Sequence, residues 1–87
     1  MSEDNISKSQ ELKRYILETF LFSDDESLLG NDDSFLDRGI IDSTGILELI
    51  MFLEEKYGVV VLDHELVPEN LDSVNRLVAF VERKLSV

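Results

Sequence analysis

The chain of 87 residues contains no cysteine. That excludes a disulfide framework, a thiolate metal site and a cysteine nucleophile. Any thiol chemistry must come from something attached. Basic residues are also scarce, eight against nineteen acidic ones, for a formal charge of −11. A field of that sign repels phosphate backbones and anionic lipid and attracts basic protein surfaces. There is no basic aromatic patch and no phosphate-binding glycine loop, so nucleic acid is not an expected partner. No apolar run approaches the roughly 18 residues needed to cross a membrane, so membrane insertion is not expected either. Met1 to Asn5 lacks the basic and apolar regions of a signal peptide, which makes the cytoplasm the expected location.

The length fits one domain over residues 1–87, which buries only about 60–65% of its unfolded surface. The apolar fraction of 44% is ordinary for a folded protein. Residues 1–6 read as a frayed, disordered end. Ser7 and Gln10 fit a capping box. Leu12, Tyr15, Ile16, Thr19 and Phe20 then recur at helical spacing, placing a first helix at about 8–21. Residues 23–41, rich in Ser, Asp and Gly, read as a long loop, with Leu28, Leu29, Phe35, Leu36, Ile40 and Ile41 pinning it to the core. A loop of this length is often functional.

Asp42 or Ser43 caps a second helix running to about Tyr57 and stopping at Gly58. Val59 to Leu62 reads as an extended connector. Asp63 to Val67 reads as one helical turn ended by Pro68. Asp72 or Ser73 caps a last helix with Val74, Leu77, Val78, Val81 and Leu85 on one stripe. Arg83 and Lys84 in its last turn suit the helix dipole. The expected fold is all-α: three main helices, one short helix and a long loop between the first two main helices.

The second helix has two faces. At about 100° per residue, Ile46, Leu49, Ile50, Leu53 and Tyr57 form the core stripe. Thr44, Leu47, Glu48, Met51, Glu54 and Glu55 fall on another sector. Leu47 and Met51 either pack beneath the long loop or form the apolar centre of a docking surface. In the second case the acids are a rim that steers a basic partner. Methionine suits such a surface because its thioether repacks against different partners.

Ser43, directly after Asp42, stands at the start of this helix. Serine there is commonly a plain cap, its oxygen accepting a backbone amide. A helix N-terminus also suits a phosphodiester, since free amides and the dipole favour negative charge. A serine hydrolase needs a base, an orienting group and an oxyanion hole. The only histidine, His64, lies in an Asp-His-Glu surface turn, and no such set is evident. The acidic loop fails the EF-hand register, because leucine falls on ligand positions from either start, Asp25 or Asp32.

From about Leu12 to Leu85 the chain resembles the acyl carrier and peptidyl carrier protein family. Phe35-Leu36-Asp37-Arg38-Gly39-Ile40-Ile41-Asp42-Ser43 resembles that family's approach to its attachment serine. Leu49, Leu53-Glu54-Glu55 and Tyr57-Gly58 resemble the rest of its second helix. Asn70-Leu71-Asp72-Ser73-Val74 resembles its entry into the final helix. The resemblance implies a four-helix carrier bundle and a non-catalytic carrier, monomeric, that other enzymes act on. It implies that Ser43, preceded by Asp42, receives 4′-phosphopantetheine from a phosphopantetheinyl transferase. An acyl or aminoacyl group is then carried on the arm's terminal thiol as a thioester.

The same resemblance assigns partner recognition to Thr44, Leu47, Glu48, Met51, Glu54 and Glu55, and implies an adenylate-forming ligase and acyl-transferring enzymes as partners. Many fatty-acid carriers have leucine after the serine, where this chain has Thr44. Asp42-Ser43-Thr44-Gly45 resembles the Asp-Ser-Met-Gly of D-alanyl carrier proteins, which points away from housekeeping fatty-acid synthesis. The alternative from another class is a cofactor-free acidic helical module for protein interaction.

Overall fold

Among the described residues, four α-helices carry the chain. They are α1 (Glu3–Ile16), α2 (Ser43–Tyr57), α3 (Pro68–Leu71) and α4 (Val74–Leu85). The computed structural model describes residues 3–86, with side chains from Lys8 to Ser86. Among them there is no strand. The all-α carrier-type bundle read from the sequence is the fold observed.

Helix α1 begins at Glu3, earlier than the sequence suggests. The backbone from Glu3 to Ile6 is helical, and Ser7 is an interior helical position rather than a cap. Residues 1 and 2 lie outside the described residues. After Ile16 the helix widens into a π-helical turn, Leu17–Leu21. Leu12, Ile16 and Leu17 from this segment are buried.

Helix α2 matches its expected bounds. Asp42 caps it, its side chain accepting from Gly45 N–H at 2.8 Å. Gly58 closes it at φ 72°, donating its N–H to Glu54 O. That left-handed conformation is the reason glycine stands there. The buried positions of α2 are Gly45, Leu49 and Leu53. Phe52, absent from the sequence-based stripe, is half-buried and stacks on Tyr15 of α1 at 3.9 Å between centroids. Ile46, Ile50 and Tyr57 are half-buried. The true core face is therefore turned toward the Phe52 side, where α1 lies.

Pro68 does not end a turn; it begins α3. Its fixed φ suits the first helical position, where the missing N–H would have no partner in any case. The turn before it is a 3₁₀ turn, Asp63–Glu65, and His64 is exposed in it. Ser73 caps α4, accepting from Arg76 N–H at 3.1 Å. Val74, Leu77, Phe80 and Val81 of α4 are buried, whereas Leu85 is exposed. Phe80 takes the core place the sequence stripe gave to Leu85. The α4 face is therefore centred on the Leu77 and Val81 side.

The long loop is tied to the α3–α4 junction. Phe35 N–H donates to Asp72 O at 3.0 Å and Leu36 N–H to Asp72 Oδ1 at 2.9 Å. Ser34 Oγ donates to Asp72 Oδ2. Asn75 donates from its backbone to Asn31 O at 3.0 Å and from its amide to Asp32 Oδ1 at 2.7 Å. Leu29, Phe35 and Ile41 are buried, as expected of pinned loop residues; Leu28 and Leu36 are exposed. Each fully buried Leu or Phe of this kind contributes about 1.5–3 kcal/mol. The loop is thus a part of the core that delivers Asp42 and Ser43 to the start of α2.

Candidate functional site

Ser43 is the first residue of α2 and is exposed. Asp42 already provides the cap, so Ser43 is left out of it. Among the described residues its hydroxyl takes part in no hydrogen bond. The amides of Ser43 and Thr44 lie in the first turn, where no intrahelical carbonyl is available to them. A positive helix end with free amides therefore surrounds a free hydroxyl.

The first turn of α2 is held from below. Gly45 is buried, and the ring edge of Phe20 and the Ile41 side chain lie directly beneath it. Tyr15 OH, one helical turn before Thr19, donates to Glu48 O at 3.2 Å. Helices α1 and α2 run antiparallel, since Tyr57 OH at the far end of α2 donates to Glu11 Oε1 at 3.1 Å. The end of the α1 segment and the start of α2 accordingly share one end of the molecule. Sequence reasoning placed Phe20 on a helix stripe and Gly45 in the segment that follows Ser43. What it missed was their contact, which a linear pattern does not carry.

All six residues assigned to the second face are exposed: Thr44, Leu47, Glu48, Met51, Glu54 and Glu55. Leu47 is 61% and Met51 59% exposed, so neither packs beneath the loop. Lys56, the only base on α2, is drawn away to Glu11 at 3.6 Å. Glu54 Oε2 accepts from Val61 N–H at 3.2 Å and braces the connector. Glu48 and Glu55 make no side-chain hydrogen bond or ion pair among the described residues. The face therefore keeps an apolar centre and unneutralised carboxylates.

Arg38, five residues before Ser43, does not serve the site. Its Nη1 donates to Leu28 O at 2.9 Å and pairs with Asp33 Oδ2 at 2.6 Å. Asp33 also accepts from Gly30 N–H at 2.7 Å. That amide first, then Arg38, holds its carboxyl below the usual carboxylate range. Arg38 thus folds the loop rather than meeting an anion at Ser43.

Beside the start of α2 lies an apolar pocket of about 120 Å³. Ile46, one turn after Ser43, shares its wall with Phe35, Leu36 and Ile41 of the loop and with Leu66, Val67, Pro68, Leu71 and Asp72. It lies between the loop, α3 and Ile46 of α2, and no residue of α4 lines it. Leu49, Leu53, Val74, Leu77 and Val81 are closed to solvent. Among the described residues no group of three or more His, Asp or Glu side chains is placed to hold a metal ion. Among the described residues no helix is long and apolar enough to cross a membrane.

No protein-family model matches the chain. Individual proteins do. The chain is 34% identical over 61 residues to the D-alanyl carrier protein of Streptococcus suis (strain 05ZYH33), covering 70% of this chain and 76% of that one. It is 29% identical over 55 residues to the D-alanyl carrier protein of Abiotrophia defectiva, covering 63% and 70%. It is 37% identical over 54 residues to the acyl carrier protein of Buchnera aphidicola subsp. Acyrthosiphon pisum (strain APS), covering 62% and 65%. With the helical bundle and the exposed start of α2, these similarities lead to one conclusion: the chain is a carrier protein of the acyl carrier protein family.

Proposed function

We propose that Ser43 carries a covalent 4′-phosphopantetheine arm and that the chain presents acyl or aminoacyl groups on it to partner enzymes. The observation that supports this most is the division of labour at the start of α2. Asp42 accepts the Gly45 amide, and the exposed Ser43 hydroxyl has no hydrogen-bond partner among the described residues. A serine that served only as a cap would hold that amide itself. The residues present fit the group. The first-turn amides of Ser43 and Thr44 and the helix dipole favour a phosphodiester on the Ser43 oxygen. When bound, the arm supplies the thiol that this cysteine-free chain lacks, and the cargo is held there as a thioester.

Leu47 and Met51 form the apolar centre of a partner-binding face, with Thr44, Glu48, Glu54 and Glu55 around it. Its partners are a phosphopantetheinyl transferase, an adenylate-forming ligase and acyl-transferring enzymes, each with a basic surface. The chain itself acts as their substrate. The Asp42-Ser43-Thr44-Gly45 segment and relatives named D-alanyl carrier protein favour an aminoacyl cargo.

The test is incubation of the chain with a broad-specificity phosphopantetheinyl transferase, coenzyme A and Mg²⁺, followed by an intact-mass spectrum. The expected result is the gain of one phosphopantetheinyl group per chain. A mass that stays unchanged would favour the cofactor-free interaction module instead.

A further inference from the structure

We propose that Phe22 is a second docking anchor for the transferase that modifies Ser43, an inference that rests on the reading of Ser43 given above. Phe22 ends the α1 segment in an unusual way. Its N–H donates to Leu17 O, closing the π-helical turn, and Ser23 N–H donates to the same oxygen at 3.1 Å. These bonds hold Phe22 at φ 53° and ψ 44°. It is the only non-glycine residue with positive φ among the described residues. Glycine is the usual residue at such a helix end, and a bulky side chain there is an outlier. π-helical turns and strained backbone both concentrate at functional sites.

The side chain is not repaid for that strain by burial. Phe22 is 86% exposed, more than any other large apolar residue among those described. A lone exposed apolar side chain is ordinary by itself. An exposed phenyl ring held outward by an unfavourable backbone is not. The ring also stands at the relevant end of the molecule. Phe20 packs beneath Gly45, and Phe22 follows two residues later. Two residues span at most about 7 Å, which keeps Phe22 within roughly 17 Å of the start of α2. A partner covering about 800 Å² has a footprint roughly 30 Å across. An enzyme whose footprint is centred between Phe22 and the start of α2 covers both.

Charge defines the partner's chemistry. No basic residue occurs between Arg14 and Arg38, and Glu18, Asp24, Asp25 and Glu26 flank Phe22 in sequence. The complementary surface has an apolar pocket for the ring and lysines or arginines around it. Aromatic anchors in such pockets dominate binding energy at interfaces. Phe22 thus stands at the end of the bundle from which α2 starts, with acidic residues on both sides of it in sequence.

The experiment measures steady-state modification of the full chain by a broad-specificity phosphopantetheinyl transferase with coenzyme A and Mg²⁺. The wild type is compared with Phe22→Gly, Phe22→Asn and Phe22→Tyr. Glycine and asparagine suit the left-handed backbone, so both variants should melt at or above the wild-type temperature. Their KM for the carrier should nevertheless rise about tenfold with little change in kcat, while tyrosine keeps the wild-type KM. An unchanged KM in Phe22→Gly and Phe22→Asn overturns the anchor and leaves the Ser43 reading intact. A wild-type chain that is not modified at all overturns both.

Discussion

A Cβ added to Gly45 would stand 2.8 Å from Phe20 Cε1 and 3.1 Å from Ile41 Cγ2. Real side chains do not approach that closely, so glycine is what allows Phe20 to lie beneath the first turn of α2. Gly45→Ala improves helix propensity by about 0.8–1 kcal/mol in an exposed helix. Here the overpacking, typically about 1–3 kcal/mol, should exceed it. The expected outcome is a net loss of stability in urea unfolding. Phe20→Leu should recover part of it, giving a favourable coupling in the double-mutant cycle. A Gly45→Ala chain more stable than the wild type would show that Phe20 simply swings aside.

The cap separates Asp42 from Ser43. Asp42→Ala should cost about 0.5–2 kcal/mol, the usual loss for an N-cap carboxylate. Ser43→Ala should change stability by less than about 0.5 kcal/mol, as a surface substitution without a hydrogen bond to lose. Equal losses for the two variants, measured by denaturant unfolding, would mean that Ser43 shares the capping role.

The acids of α2 should act on association more than on folding. Reversing Glu48 and Glu55 together to lysine should slow binding to a basic transferase or ligase and weaken its dependence on salt. Both carboxylates are exposed and, among the described residues, make no side-chain hydrogen bond or ion pair, so the melting temperature should move little. Stopped-flow association at low salt measures this directly. An unchanged rate would remove these two residues from the docking face.

Titration should report the packing of α1 on α2. Burial first, then the charge of Glu48, pushes the Tyr15 hydroxyl upward. Burial first, then the hydrogen bond to Glu11, pushes Tyr57 far upward. A raised folded-state value means stability that is fully present below the unfolded value of about 10 and is lost as pH climbs above it. These are the chain's two tyrosines. Tyrosinate absorbance should therefore stay low past pH 10 and then appear together with loss of helical circular dichroism. A tyrosine that ionises near pH 10 while the helices persist would contradict the α1–α2 packing described here.

Much of this arrangement was legible from residues alone, and the boundaries of α2 were the clearest. An aspartate cap and a glycine stop bracket one amphipathic segment, and both act locally. The exposed pair Leu47 and Met51 was legible as well, because the wheel separates it from the core stripe. Other features depend on partners distant in sequence. Phe52 is a core-edge residue because Tyr15 stacks on it, and Phe80 displaces Leu85 because α4 is rotated toward its neighbours. Pro68 has two local meanings, the end of one helical turn or the start of another, and the chain after it decides. The contact of Phe20 with Gly45 joins residues 25 apart in sequence, and no periodicity encodes it.

Cargo size can be read from the core. Loading the modified chain with an eight-carbon acyl group should leave the amide and methyl shifts of Ile46, Leu53 and Val78 near those seen with alanine or glycine. Leu53 is fully buried in a closed core, and Ile46 borders a pocket of about 120 Å³. Opening a cavity among these residues would cost stability. Broad shifts confined to the eight-carbon form would mean that the helices part for a long chain and would overturn the aminoacyl preference.

The most direct measurement places the arm on one residue. Trypsin cuts after Arg38 and Lys56, releasing residues 39–56, in which Ser43 and Thr44 are the only hydroxyl side chains. After treatment with transferase, coenzyme A and Mg²⁺, the wild-type peptide should carry one phosphopantetheinyl group. The Ser43→Ala peptide, taken from a chain with unchanged helical circular dichroism, should carry none. A phosphopantetheinyl group on any other peptide, or on the Ser43→Ala chain, would contradict the assignment of Ser43.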